Sequence, residues 1–264
     1  MEKKKKLINV TEITEYLYCP RKVYLKKIKG LKEIQNEKMV SGMLKHQVFE
    51  AFGNDERFLV SEITENIKEH EILNIYRKHL EVLSKYVIDS NLDKIKQFNI
   101  SPEKFLADIN NFMNREFDIR IVSVKKALDL GFLGADLWKN LKPKYITELR
   151  LESEILGLRG RVDRLKIDDE IVPYELKTRK EIYDSDKIQL AAYALLLEEK
   201  YGQPVTKGRV ESQEKEEDIL ITPELKDKVL KIAEEIRNMD SAPEFKLSNF
   251  NKCNYCSFNN DCFK

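Results

Sequence analysis

The stretch from Leu158 to Leu176, LRGRVDRLKIDDEIVPYEL, leaves the chain few ways to fold. Residues 158–167 alternate and are rich in β-formers, Asp168 and Asp169 are turn residues, and residues 171–177 form a second short run. Such a pattern predicts a β-hairpin. Its loop length decides what the side chains can do, because a slip of one residue sends every side chain to the other face of the sheet. A three-residue loop, Asp168 to Glu170, pairs Ile167 with Ile171 and sets Asp163 opposite Glu175. A two-residue loop sets Asp163 opposite Tyr174 and scatters the acids. In the first register Lys177 joins the same face, since strand side chains repeat every two residues. Pro173 has no N–H to give, so it calls for a sheet edge or a bulge.

Two carboxylates and an ammonium converging on one point suit phosphodiester hydrolysis. Asp163 and Glu175 offer hard oxygen ligands for Mg²⁺ or Mn²⁺, which acidifies a bound water and neutralises charge on a scissile phosphate. Lys177 is placed to orient or help deprotonate the attacking water and to stabilise the pentavalent charge. A surface hairpin with an ordinary Glu–Lys pair carries the same letters, so the neighbouring sequence has to decide. Beyond the hairpin, Asp184 or Ser185 can cap a helix whose Ile188, Ala191, Ala192, Leu195 and Leu196 form an apolar stripe. Gln189 and Tyr193, four apart, share one flank of that helix.

Gly160-Arg161-Val162-Asp163, Glu175-Leu176-Lys177 and Gln189-x3-Tyr193, with Gly42-x3-His46 upstream, resemble the GxxD, ExK, QxxxY and GxxxH motifs of RecB-like nucleases in the PD-(D/E)xK superfamily. The resemblance implies an α/β fold with a restriction-endonuclease-type core, a central mixed β-sheet flanked by helices. It also implies a metal held by His46, Asp163, Glu175 and the backbone carbonyl of Leu176. In that scheme Lys177 assists the attacking water, and Gln189 and Tyr193 position phosphate or ligands. A lone helical histidine is ordinarily a core or surface residue with a satisfied hydrogen bond, so His46 owes its assignment to the motif.

Charged residues make up 35% of the chain and nearly cancel to +1, so net charge carries no nucleic-acid signal, but its distribution does. Residues 1–50 hold twelve Lys and Arg against six Asp and Glu. Within them Arg21, Lys22, Lys26, Lys27 and Lys29, interleaved with Tyr24, suit a DNA backbone or form a solvated helix face. No apolar run approaches the eighteen residues of a membrane helix, and Met-Glu-Lys-Lys-Lys-Lys lacks a following apolar segment. A cytoplasmic protein that neither spans a membrane nor carries a signal peptide is expected.

Four cysteines in a reducing compartment argue for metal rather than disulfides. Three lie together as Cys253-x2-Cys256-x5-Cys262, and Cys19 stands alone near the N-terminus, so one shared centre would staple the two ends of the chain together. Structural Zn²⁺ and a [4Fe–4S] cluster are both four-thiolate sites, and spacing alone does not separate them. Tyr16-x-Tyr18-Cys19-Pro20-Arg21-Lys22, taken with the C-terminal trio, is similar to the CRISPR-associated RecB-like exonuclease family, in which one cysteine precedes the nuclease core and three follow it. That likeness implies a [4Fe–4S] cluster on Cys19, Cys253, Cys256 and Cys262, an iron–sulfur staple joining the N- and C-termini. It further implies single-stranded DNA ends as substrate and a role in trimming DNA before CRISPR integrase proteins insert it. Two other functions fit the same residues. One is a repair exonuclease whose helicase is a partner, since the chain has no GxxxxGK[ST] loop. The other is a DNA-end-binding adaptor with incidental cleavage. Self-association stays open.

The 264 residues read as one nuclease domain in four parts: N-terminal helices with Cys19 and His46 over 1–54, a helical insertion over 55–147, the core over 148–210, and a final helix with the cysteine trio over 211–264. Within these, helices are expected over 12–18, from Pro20, over 37–52, over 102–128 and over 223–239. A strand over 146–156 turns Glu148, Arg150, Glu152 and Glu154 to solvent, the alternative being that Glu154 sits near the metals. A further strand is expected over 204–210, and residues 211–218 read as a turn or loop. Protein purified without oxygen is expected to show the broad visible absorbance of an iron–sulfur cluster; a colourless protein with stoichiometric zinc would reverse that assignment.

Overall fold

The computed structural model describes residues 5–177, 179–212, 214–244, 250–254 and 256–262. In chain order, β1 (Ile8–Asn9), α1 (Val10–Tyr18) and α2 (Pro20–Lys27) lead into five helices. These are α3 (Glu37–Ser61), α4 (Glu69–Ser90), α5 (Leu92–Gln97), α6 (Pro102–Asp129) and α7 (Gly134–Lys139). Then come β2 (Lys144–Ser153), β3 (Leu158–Ile167), β4 (Ile171–Leu176), α8 (Asp184–Tyr201), β5 (Lys207–Glu211), β6 (Glu216–Leu220) and α9 (Pro223–Arg237). Two short helices, α10 (Phe250–Asn254) and α11 (Asn259–Cys262), close the chain. Its Cα positions divide into two units, one of residues 1–34, 149–163 and 172–264, the other of residues 35–148 and 164–171.

The first unit is built on a mixed sheet in the order β1-β3-β4-β5-β6, with β2 also pairing β3. β1 runs parallel to β3 and β4 parallel to β5, while β6 is antiparallel to β5. Helices α1, α8 and α9 pack together on it. Because α8 meets α1, α9 and β5 at once, every residue from Ile188 to Leu197 is buried except the half-buried Leu195. The single stripe expected from sequence was too narrow: small Ala191, Ala192 and Ala194 let neighbours close in on more than one side. Pro20 opens α2 and Pro223 opens α9, where a missing N–H costs nothing, and the Thr222 hydroxyl accepts from the Leu225 N–H to cap the latter. Strand β6 starts inside the segment read as a loop. It escapes period-two detection because it is a charged edge strand that buries only Ile219 and pairs its Asp218 with Arg209 on β5 at 2.6 Å.

The second unit is helical. Phe52 sits between Tyr76 and Phe117, with ring centroids 5.2 and 5.1 Å away, and Phe49 joins the same fully buried set. Beside them lies a buried charged group in which Arg120 bonds Glu56 and Arg164 bonds Glu116, while the Tyr76 hydroxyl donates to Glu56 at 3.0 Å. Two buried cations meet two buried carboxylates, which is the condition for charge to be tolerated inside a core. Helix α3 continues to Ser61 rather than ending near Phe52. Gly53-Asn54-Asp55 looks like a helix stop, but Gly53 serves packing: a Cβ there would lie 1.5 Å from Thr147 Oγ1 on β2. Gly42, three turns earlier on the same helix, would meet nothing within 4 Å. The two glycines should therefore respond oppositely to alanine in urea unfolding. Gly53→Ala is expected to destabilise by about 1–3 kcal/mol through overpacking, partly rescued by Thr147→Ala. Gly42→Ala is expected to stabilise by about 0.5–1 kcal/mol through helix propensity.

Candidate active site

The connection from β3 to β4 is the three-residue loop Asp168–Glu170, closed by the Asp168 N–H donating to the Glu170 carbonyl at 3.2 Å. Asp163 and Glu175 are both buried. The Asp163 carboxylate accepts the Leu176 N–H at 2.8 Å, which ties β3 to β4 at the ExK segment and engages the peptide of Leu176. Glu175 accepts from Lys177 Nζ at 2.7 Å, and the same ammonium donates to Gln189 Oε1 at 3.0 Å. Gln189 in turn donates from Nε2 to the Tyr193 hydroxyl at 2.9 Å. Asp163, Glu175, Lys177, Gln189 and Tyr193 thus form one connected set, with Tyr193 anchoring it in the core.

Local sequence explains how they meet. At Gly160, three residues before Asp163, β3 runs close against two helices: a Cβ would stand 2.7 Å from Val10 of α1 and 3.0 Å from Tyr193 of α8. Pro173 is tolerated because the β4–β5 ladder begins one residue later, at Tyr174 opposite Arg209. Past the strand, the Lys177 N–H donates to the Glu211 carbonyl at 2.7 Å, which fixes the backbone from which the lysine side chain springs.

Two buried carboxylates were missed from sequence. Asp186, buried in the first turn of α8, accepts from Arg179 and from the Tyr183 N–H at 2.8 Å, and places its other oxygen 3.5 Å from Lys177 Nζ. Its three-residue offset before Gln189 is the signal that it shares that residue's helix flank. Glu148 read as solvent-facing. It is buried in the helical unit, with Oε1 2.5 Å from His46 Nδ1. Its backbone has φ +51°, the left-handed region that a non-glycine residue rarely enters, and this breaks the alternation on which the expectation rested. Arg150, Glu152 and Glu154, which lie beyond it, are exposed as expected.

Three carboxylates, Asp163, Glu175 and Asp186, face two cations, Lys177 and Arg179. Burial, with the charge of Asp163, pushes the Glu175 carboxyl up to about 7 despite Lys177 beside it. Burial alone would lower Lys177; Glu175, then Asp186 and Asp163, overcome it and hold the ammonium above the usual lysine value, so it is a cation near neutrality. Glu175 Oε2 is buried with no hydrogen-bond partner among the described residues. An acceptor left over in an acid-rich site is what a hard, oxygen-seeking divalent cation would complete, so the residues fit such an ion.

In the same unit, Cys19 lies at the corner between α1 and α2, and none of the four cysteines is in a disulfide. Leu25, Phe258 and Cys262 form a small core with Tyr24, Leu31 and Cys256 packed against it, and Arg21 donates to the Cys262 carbonyl at 2.7 Å. Burial raises the Cys262 thiol; Arg21 opposes this, and the charges of Cys19, Cys253 and Cys256 add to it. That arrangement fits a four-thiolate centre. The lysines of α2 are mostly committed elsewhere: Lys22 and Lys26 bind Glu15 and Glu33, and Lys27 binds Glu12. These three lysines are thus not an open basic stripe, although the excess of Lys and Arg over residues 1–50 is unchanged, because Glu12, Glu15 and Glu33 are among its six acids.

The raised Glu175 carboxyl has a direct consequence for metal-free protein. The folded state holds this proton more tightly than the unfolded chain, so its contribution to stability is full below 4.5 and is lost as pH rises to about 7. Glu175→Gln is expected to remove that slope; denaturant unfolding of both proteins across this window, with chelator present, checks it.

A family model described as the PD-(D/E)XK nuclease superfamily matches residues 8–263. Over 147 residues the chain is 31% identical to a CRISPR-associated exonuclease Cas4/endonuclease Cas1 fusion of Leptospira interrogans, covering 49% of this chain and 27% of that protein. Over 119 residues it is 32% identical to the CRISPR-associated exonuclease Cas4 of Francisella tularensis subsp. novicida, covering 43% of this chain and 60% of that one. A second Cas4/Cas1 fusion, from Myxococcus xanthus, is 46% identical over 68 residues, which is 22% of this chain and 12% of that protein. The chain thus spans less than two thirds of the length of each of these relatives. With its family model matched from β1 to the C-terminal cysteines, the chain belongs to the PD-(D/E)XK nuclease superfamily.

Proposed function

We propose that this protein is a metal-dependent deoxyribonuclease that trims single-stranded DNA ends during CRISPR adaptation, before integrase proteins insert the DNA. The observation that carries the reading is the Lys177 ammonium bridging Glu175 and Gln189 beside Asp163, around a buried Glu175 oxygen that lacks a hydrogen-bond partner. Asp163, Glu175, the Leu176 carbonyl and His46 would hold Mg²⁺ or Mn²⁺, with Glu148 orienting the His46 imidazole through Nδ1. When bound, the ion supplies Lewis acidity and an acidified water. The chain's own groups do the rest. Lys177, kept as a cation by Glu175 and Asp186, stabilises charge building on the phosphate rather than taking a proton. Gln189, locked by Tyr193, holds that ammonium in place.

The names of two relatives join an exonuclease and an endonuclease Cas1 in one protein, which supports an integrase as partner. Four free thiols, one before the nuclease core and three after it, support a [4Fe–4S] cluster on Cys19, Cys253, Cys256 and Cys262, in a protein of the reducing cytoplasm. No helix among the described residues is long and apolar enough to cross a membrane. End-labelled single strands are expected to be digested in Mn²⁺, and Lys177→Ala to slow this by about 10²–10³-fold while leaving DNA binding in place. Undiminished processing by Lys177→Ala would sink the enzyme reading of this site and favour a DNA-end-binding adaptor.

A further inference from the structure

Between the active-site lysine and the Gln189–Tyr193 pair, the chain holds an aromatic side chain whose placement neither the core nor the helix explains. Tyr183 immediately precedes α8, a position where Ser, Thr, Asp or Asn normally caps the helix; it makes no side-chain cap, and the residue is 55% exposed. Its ring is nonetheless held. The Arg179 guanidinium lies over it, 4.6 Å from the centroid. Arg179 in turn is bound by Asp186, the buried carboxylate that also accepts the Tyr183 N–H and stands 3.5 Å from Lys177 Nζ. One carboxylate thus fixes the phosphate-directed ammonium, the guanidinium, and the backbone that carries the ring.

We propose that Tyr183, backed by Arg179 and pinned through Asp186, is a stacking subsite for the base next to the scissile phosphate of a single strand. The proposal rests on the nuclease reading above. A flat cation on one side of a ring leaves the other side for a second planar group, and pre-ordering lowers the entropy that stacking would otherwise cost. Every base has a π-face, so the subsite tolerates any sequence. It also favours an unpaired strand, because a paired base already stacks on its neighbours. Asp186 is the positioning residue here, and Tyr183 the residue that touches the ligand.

The test uses the full chain with Ca²⁺ in place of Mn²⁺ and single strands carrying 2-aminopurine near the labelled end. Wild type should quench the fluorophore on binding. Tyr183→Leu, which keeps an apolar side chain but no ring, should bind about tenfold more weakly and lose the quench, while Tyr183→Trp keeps both. Thermal midpoints of the two variants should match wild type. With unaltered protein, strands bearing one abasic site at successive positions should show the same loss at one position only, and Tyr183→Leu should add nothing there. If Tyr183→Leu binds and quenches as wild type does, or if no single abasic position matters, the subsite is refuted. Should wild type neither bind nor cut single strands, the nuclease reading itself fails; should wild type cut and Tyr183→Leu match it, only the subsite does.

Discussion

The surroundings of Lys177 depend on one constraint: carboxylates buried this close together repel, and something positive has to sit among them. Asp163 and Glu175 come from the two arms of a hairpin, and Asp186 from the helix that follows it. Lys177 and Arg179 answer two of the three charges, and one Glu175 oxygen is still unsatisfied by hydrogen bonding. A buried acid in that position either takes up a proton or finds a cation, and the elevated Glu175 carboxyl is the first of those outcomes. A divalent ion offers the second, which couples metal binding to proton release.

Hydrogen bonds then convert this charge balance into geometry. Lys177 is a flexible chain by itself, but Glu175, Gln189 and Asp186 approach its ammonium from a strand and a helix, and the Tyr193 hydroxyl immobilises Gln189. Gly160 lets the strand and the helices carrying these groups come close enough. In the helical unit the same principle appears with arginines as the cations: two arginines and two glutamates neutralise one another beside the aromatic core, and Arg164 follows Asp163 directly along β3. His46 is held there too, through a glutamate whose backbone conformation is costly and therefore has to be enforced by its surroundings.

The two ends of the chain meet for a different reason. Phe258 and Cys262 pack on Leu25 with Cys256 against them, and Arg21 donates to the Cys262 carbonyl. The lysines of α2 pair with Glu12, Glu15 and Glu33 rather than standing as an open basic stripe. Counting charges along a segment could not reveal this, because the neutralising acids come from α1 and from the segment after α2, and only folding sets them opposite the lysines.

By itself the sequence determined the local framework. Alternation and turn residues specified the hairpin, though not which of two loop lengths closes it, proline positions opened α2 and α9, and the spacing of three short motifs singled out Asp163, Glu175, Lys177, Gln189 and Tyr193. These signals are periodic or nearest-neighbour, so they are written along the chain. What only the tertiary structure decided are the contacts between segments far apart or of broken period. Glu148 left its expected face because one left-handed residue interrupts the strand's alternation. Strand β6 was hidden because an edge strand buries a single side chain. Helix α3 ran past Gly53 because that glycine answers Thr147 rather than a turn. Asp186 became a partner of Lys177 only when α8 folded back against the end of β4, since the direction in which a buried carboxylate points is set by what packs around it.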